Sequence, residues 1–196
     1  FDQNGTLIQG PINLTNNAYW GSYDSGNIYL SNPTISATDD GNVILAWEHK
    51  DSTSGSGTND IFYGIYDTEG TEVFSAIKVG AGLTNYKYES PILTLLQNGN
   101  ILLNWIERYD ITGSYTPQFL VLDHEGNVVK TKTYLSGEAQ YSGDVVQLPD
   151  GRIILVWRGL DNEIIYSILD GLSYVVLLPS TKLVNSISAN NAGEPS

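Results

Sequence analysis

Carboxylates placed just after three tryptophans are the residues of this chain best suited to chemistry. The stretches Glu48-His49-Lys50-Asp51, Ile106-Glu107-Arg108-Tyr109-Asp110 and Arg158-Gly159-Leu160-Asp161 follow Trp47, Trp105 and Trp157. Asp51, Asp110 and Asp161 fall four or five residues after their tryptophans and are equivalent to one another. A ring of such oxygens could hold Ca2+. Acids such as Asp51, Glu107 and Asp161 could also work on a glycosidic bond. The simpler expectation is that each Asp bonds backbone amides just ahead and shapes its own loop. No cofactor is therefore expected, with Ca2+ at Asp51, Asp110 and Asp161 as the alternative.

A second set of candidates is aromatic. Tyr19, Trp20, Tyr23, Tyr86, Tyr88, Tyr109 and Tyr141 lie in or beside the connections between repeats, among Asn and Asp residues. A ring face covers the C–H face of a pyranose while amides and carboxylates take its hydroxyls. The same residue types also serve protein interfaces. A glycan platform and an interface with another chain both remain open. His49 and His124 lie in different kinds of loop and do not form a metal pair. The chain has no Cys, which excludes thiolate catalysis and zinc-thiolate sites.

These residues are positioned by a repeated cassette. Asp40-Gly41-Asn42-Val43-Ile44-Leu45-Ala46-Trp47 recurs as Asn98 to Trp105 and as Asp150 to Trp157, each with Gly six residues before Trp. The Asp-Gly or Asn-Gly pair predicts a type I′ hairpin turn with positive φ at both central residues. The apolar run after it predicts a strand buried on both faces. After each tryptophan comes a further strand, then an Asp-led turn with Gly around Asp67, Asp123 and Asp170, then another strand. One unit is therefore four strands. Strand A is expected at Pro33 to Thr38, Pro91 to Gln97 and Asp144 to Leu148.

Pro33, Pro91 and Gly143 lie 58 and 52 residues apart. Four antiparallel strands in a repeat of about 40 to 50 residues predict an all-β fold, a β-propeller of four-stranded blades. One domain over 1–196 is expected, with a blade's tail and connection at 1–32 and blades at 33–90, 91–142 and 143–194. Residues 195–196 then begin the next blade. A four-bladed ring with a composite or shared blade fits this count.

The 196 residues carry 22 acidic against 9 basic side chains, a net charge of −13. Such a surface repels phosphates and anionic lipids, so nucleic acid is not expected as a partner. No apolar run reaches the roughly 18 residues of a spanning helix, so membrane insertion is not expected either. Gly, Tyr, Asn, Ser and Thr in abundance, with few charges, predict an extracellular or cell-surface location, while the absence of Cys leaves the compartment open.

The cassettes, with the Asp2, Asp67 and Asp123 turns, resemble the tandem β-propeller repeats of large bacterial and archaeal surface or secreted proteins. That resemblance implies adhesion or scaffold roles. The first expectation is thus a non-enzymatic structural or adhesive module, a filament or surface-array subunit that self-associates by completing its open blade with a neighbouring chain. The alternative is a lectin-like, carbohydrate-binding propeller, and the third reading is a glycoside hydrolase.

Overall fold

The computed structural model describes residues 28–51, 58–80, 85–137, 139–140, 143–160 and 163–184. Tyr19, Trp20, Tyr23, Tyr141 and Asp161 lie outside them, as do the chain ends read as a blade's tail and the start of another.

The described residues form twelve strands and no helix. The first blade is β1 (Ile28–Ala37), β2 (Val43–Asp51), β3 (Thr58–Tyr66) and β4 (Glu72–Lys78). The second is β5 (Tyr86–Leu95), β6 (Ile101–Tyr109), β7 (Ser114–Leu122) and β8 (Val128–Tyr134). The third is β9 (Val145–Gln147), β10 (Ile153–Arg158), β11 (Ile164–Leu169) and β12 (Val176–Val184). Within each blade consecutive strands pair antiparallel. A single parallel bridge, Asn59 to Lys87, joins the first two blades.

The cassette turns are three-residue loops rather than type I′ turns. Gly41 N donates to Thr38 O and Thr38 N to Asn42 O, and the same pair of bonds recurs around Gly99 and Gly151. Only the glycines have positive φ, at 90°, 81° and 89°. A type I turn closed by one left-handed residue needs Gly at that place alone, which leaves Asp40, Asn98 and Asp150 in ordinary conformations. The Asp67 and Asp123 turns form as expected, with Gly70 and Gly126 at positive φ, whereas in the Asp170 turn the left-handed residue is Tyr174 and not Gly171. The Asp67 carboxylate accepts from the amides of Glu69 and Thr71, and Asp123 from those of Glu125 and Asn127.

Strand β6 shows why the cassette runs are so apolar. Ile101, Leu103 and Trp105 point into a core shared with the first blade, beside Ile44, Ile61 and Tyr63. Leu102 and Ile106 point the other way, into a core shared with Leu155, Trp157 and Ile165 of the third blade. Side chains alternate at period two, so a strand sandwiched between two blades must be apolar at nearly every position. Trp105 is fully buried and Trp157 nearly so. Both tryptophans are packing residues.

Two expectations about strand limits need correction. β2 runs on to Asp51 and β6 to Tyr109, so Glu48 and Glu107 are strand residues and do not begin loops. β1 and β5 begin upstream of their prolines, which sit inside the strands. Asn32 and Pro33 together oppose Trp47, and Ser90 and Pro91 together oppose Trp105. Two residues against one is a β-bulge, a place inside a strand where a residue without an N–H fits.

Candidate functional site

Both bulges bring unusual backbone to one spot. Asn32 has φ 49° and Ser90 has φ 57°, left-handed conformations that asparagine adopts readily and serine seldom does. Held strain of this kind collects at functional sites. The two residues occupy the same place in successive blades and line one cavity of about 290 Å³. Its other walls are Glu48, Lys50, Glu89, Ile106, Arg108, Tyr115 and Gln140.

Glu48 forms the buried floor, with 1% of its surface exposed. Its Oε1 accepts from Asn32 Nδ2 at 2.6 Å and from Ser90 N at 2.6 Å. Its Oε2 accepts from Ser31 Oγ at 3.0 Å and is paired with Lys50 Nζ at 3.1 Å. Burial pushes the Glu48 carboxyl up, but the Ser90 amide, Asn32, Lys50 and Ser31 together hold it below the ordinary glutamate range. Four donors occupy the places a carboxylate offers. Glu48 is therefore an ionised group committed to its neighbours.

Glu89 is the carboxylate within reach of a ligand. It is partly exposed, and the nearest cation, Arg108 Nη1, lies 3.7 Å away, too far for a hydrogen bond. Arg108 is held from behind, with Nε 2.8 Å from Asp110 Oδ1 and its Cζ 5.8 Å from the centre of the Tyr115 ring. Its Nη edge thus lines the cavity already oriented. Gln140 takes its place through a backbone bond from its N to Arg158 O, and its Oε1 is buried without a hydrogen-bond partner. Two acids and two bases line the cavity, so its formal charge cancels within a chain of net charge −13.

The residues singled out from the sequence fall elsewhere. Tyr86 and Tyr109 are cross-strand partners whose rings pack on each other at 4.7 Å. Tyr88 is 1% exposed and packs in the core between the first two blades. Asp51 ends β2 opposite Thr58. Asp110 is spanned by Lys87 at 2.7 Å and Arg108 at 2.8 Å. The Lys87 hydrogen bond, opposed by a smaller effect of burial, holds Asp110 below the usual carboxylate range. Glu107 is buried beside Lys132 Nζ at 3.4 Å. Among the described residues no group of three potential metal ligands comes together, and no helix is long and apolar enough to cross a membrane. The bulge residues Asn32 and Ser90, with Glu48 and Glu89, were not among the candidates. Their signal was the repeated Ser31-Asn32-Pro33 and Glu89-Ser90-Pro91, which reads from sequence alone as the start of a strand.

No protein-family model matches the chain, and no curated protein matches it. Solved structures do. A GH43_1 enzyme from Xanthomonas citri complexed with xylose is 18% identical, with a TM-score of 0.51 over 80% of this chain and 56% of that one. An alpha-L-arabinanase from Penicillium chrysogenum complexed with arabinobiose is 14% identical, with a TM-score of 0.58 over 79% of this chain and 45% of that one. The chain spans about half the length of the structures it matches. At such identities the likeness establishes the fold, a β-propeller.

The likenesses correct two expectations. Folds that match this chain belong to enzymes crystallised with sugars, which overturns the reading as a non-enzymatic structural or adhesive module and the exclusion of an enzyme. The propeller in the resemblance stands. Its assignment to surface-repeat modules, filaments or adhesion finds no support in these matches.

Proposed function

We propose that this chain is the sugar-handling part of a glycan-acting propeller, and that the cavity between the Asn32 and Ser90 bulges holds one sugar unit. The observation that carries this is the cavity's mixture of fixed donors and acceptors with cancelling charge. The Arg108 guanidinium donates, and Glu89 accepts. A neutral polyol satisfies both kinds of group at once, whereas a phosphate or an apolar ligand would leave one kind unpaired. At about 290 Å³ the cavity lies at the small end of ligand sites and suits a single ring. The sugars bound by the matched enzymes, xylose and arabinobiose, make pentose-containing glycans the first to try.

A second reading, hydrolysis, is favoured by one observation: two carboxylates, Glu48 and Glu89, line the same cavity. Glycoside cleavage uses such a pair around an oxocarbenium-like transition state. In this reading Glu89 moves the proton, and Glu48, its acceptor places filled, lends fixed negative charge.

Calorimetric titration with xylo- and arabino-oligosaccharides, beside an assay for reducing ends, tests both readings. Binding should weaken at least about tenfold in Arg108→Ala, the loss of one charge-assisted bond. Glu89→Gln should abolish turnover while binding persists. A wild-type chain that neither binds nor cleaves any member of the panel would sink the proposal.

A further inference from the structure

The Glu48 carboxylate makes a contact that neither packing nor blade pairing requires. It sits in β2 of the first blade, yet its shortest bonds go to Asn32 Nδ2 in β1 and to Ser90 N in β5 of the next blade, both at 2.6 Å. The equivalent residue of the second blade, one past Trp105, is the apolar Ile106. So the repeat does not demand an acid here. Both donors belong to left-handed residues followed by proline, and a residue before proline is confined in its backbone choices.

We infer that Glu48 is the positioning residue of this cavity: it clamps the bulges of two blades together and turns the Asn32 amide so that its Oδ1 is the atom presented to a ligand hydroxyl. The amide argument is one of chemistry. Only the NH2 end of Asn32 can bond a carboxylate, so with Nδ2 on Glu48 the carbonyl end is left for a ligand. The charge argument agrees. Lys50 Nζ of the same strand balances Glu48, Glu89 of β5 takes its nearest cation from Arg108 of β6, and Arg108 is anchored by Asp110. Glu48 therefore stays ionised without drawing Arg108 away from the cavity. The ligand half of the inference rests on the sugar-binding reading; the clamp half does not.

The test is NMR on 15N-labelled protein with Glu48→Gln and Asn32→Ala, followed by sugar titration. A charge-assisted bond at Ser90 should slow exchange of its amide, so exchange in Glu48→Gln should be about 10- to 100-fold faster than in wild type, with β7 and β10 amides unchanged. Where Glu48→Gln does not fold, the wild-type chain serves. The Ser90 amide proton should shift upfield as acid protonates Glu48, while that of Leu120 should not. A Ser90 amide indifferent to both the variant and the pH overturns the clamp. For the ligand half, Asn32→Ala and Glu48→Gln should each weaken xylo- or arabino-oligosaccharide binding, and the double variant should lose little more, because both act through one amide. Fully additive losses overturn that half. If wild type binds no sugar but Ser90 responds as stated, the function proposal fails and the clamp stands.

Discussion

The phenol oxygen of Tyr174 lies 2.7 Å from Asn100 Nδ2, although the two residues belong to different blades. Asn98 Nδ2 reaches the same oxygen at 2.9 Å. Tyr174 is 4% exposed and sits at φ 56° in the Asp170 turn of the third blade. The cassette turn of one blade is thereby tied to the outer turn of the next. Tyr174→Phe keeps the ring and removes the acceptor, so it should cost about 1 kcal/mol. In a chain of this size the melting temperature should fall by roughly 2 to 4 °C, readable by calorimetry.

Gly143 and Gly41 should respond differently to alanine. A Cβ on Gly143 would stand 1.7 Å from the Val156 carbonyl oxygen, so the backbone itself must move. On Gly41 it would meet nothing within 4 Å, and the only penalty is its φ of 90°. Gly41→Ala should cost about 1 to 2 kcal/mol, and Gly143→Ala should cost more and give a lower urea midpoint.

Asp110 gives a pH signature. Its carboxyl is held below the ordinary range, so the folded state binds its proton less readily than the unfolded chain. Such a group contributes stability that is present above the unfolded value of about 3.9 and disappears as pH falls through the lower folded value. Asp110→Asn should therefore be less stable than wild type at pH 7, with the gap closing below about pH 3.9. Because the Asp110 side chain is 26% exposed, the gap should also shrink in molar salt. Urea unfolding at two pH values and two salt concentrations checks this.

Trp105 is fully buried between two blades, whereas Trp47 stacks on Phe62 at 6.2 Å and keeps 6% exposure. Trp105→Ala should cost about 3 to 5 kcal/mol. An unfolding midpoint near that of wild type would contradict the two-faced packing described for β6.

What was legible in the sequence was whatever repeats through local physics. Gly41, Gly99 and Gly151 mark turns because each takes a positive φ. Of the three apolar runs, the one to Trp105 alternates between two cores. Ile44 and Ala46 of β2, and Ile153, Leu155 and Trp157 of β10, each face one core, so burial on both faces holds for β6 and not for β2 or β10. Asp67 and Asp123 cap their turns because a carboxylate reaches amides two and four residues on. The cavity was not legible. Pro33 and Pro91 announce the start of an ordinary strand, and nothing local says that the strand instead begins five residues upstream and doubles against a tryptophan. Nor does Glu48 look special beside His49, Lys50 and Asp51, since its partner Ser90 lies 42 residues away. Tyr88 misled for the converse reason: an aromatic among polar neighbours read as exposed, whereas alternation along β5 turns it inward.

The paired bulges also bear on how this chain can diverge. Ser31 and Glu89 hold the same place in duplicated frameworks, so the backbone delivers whatever side chain stands there in the same pose. One position carries a hydroxyl and the other an acid. Glu89 lines the cavity, whereas the Ser31 hydroxyl donates to the Glu48 carboxylate, so the same backbone place serves the ligand side in one blade and the clamp in the other. Duplication thus supplies two sockets of one shape, and selectivity evolves by what is plugged into each.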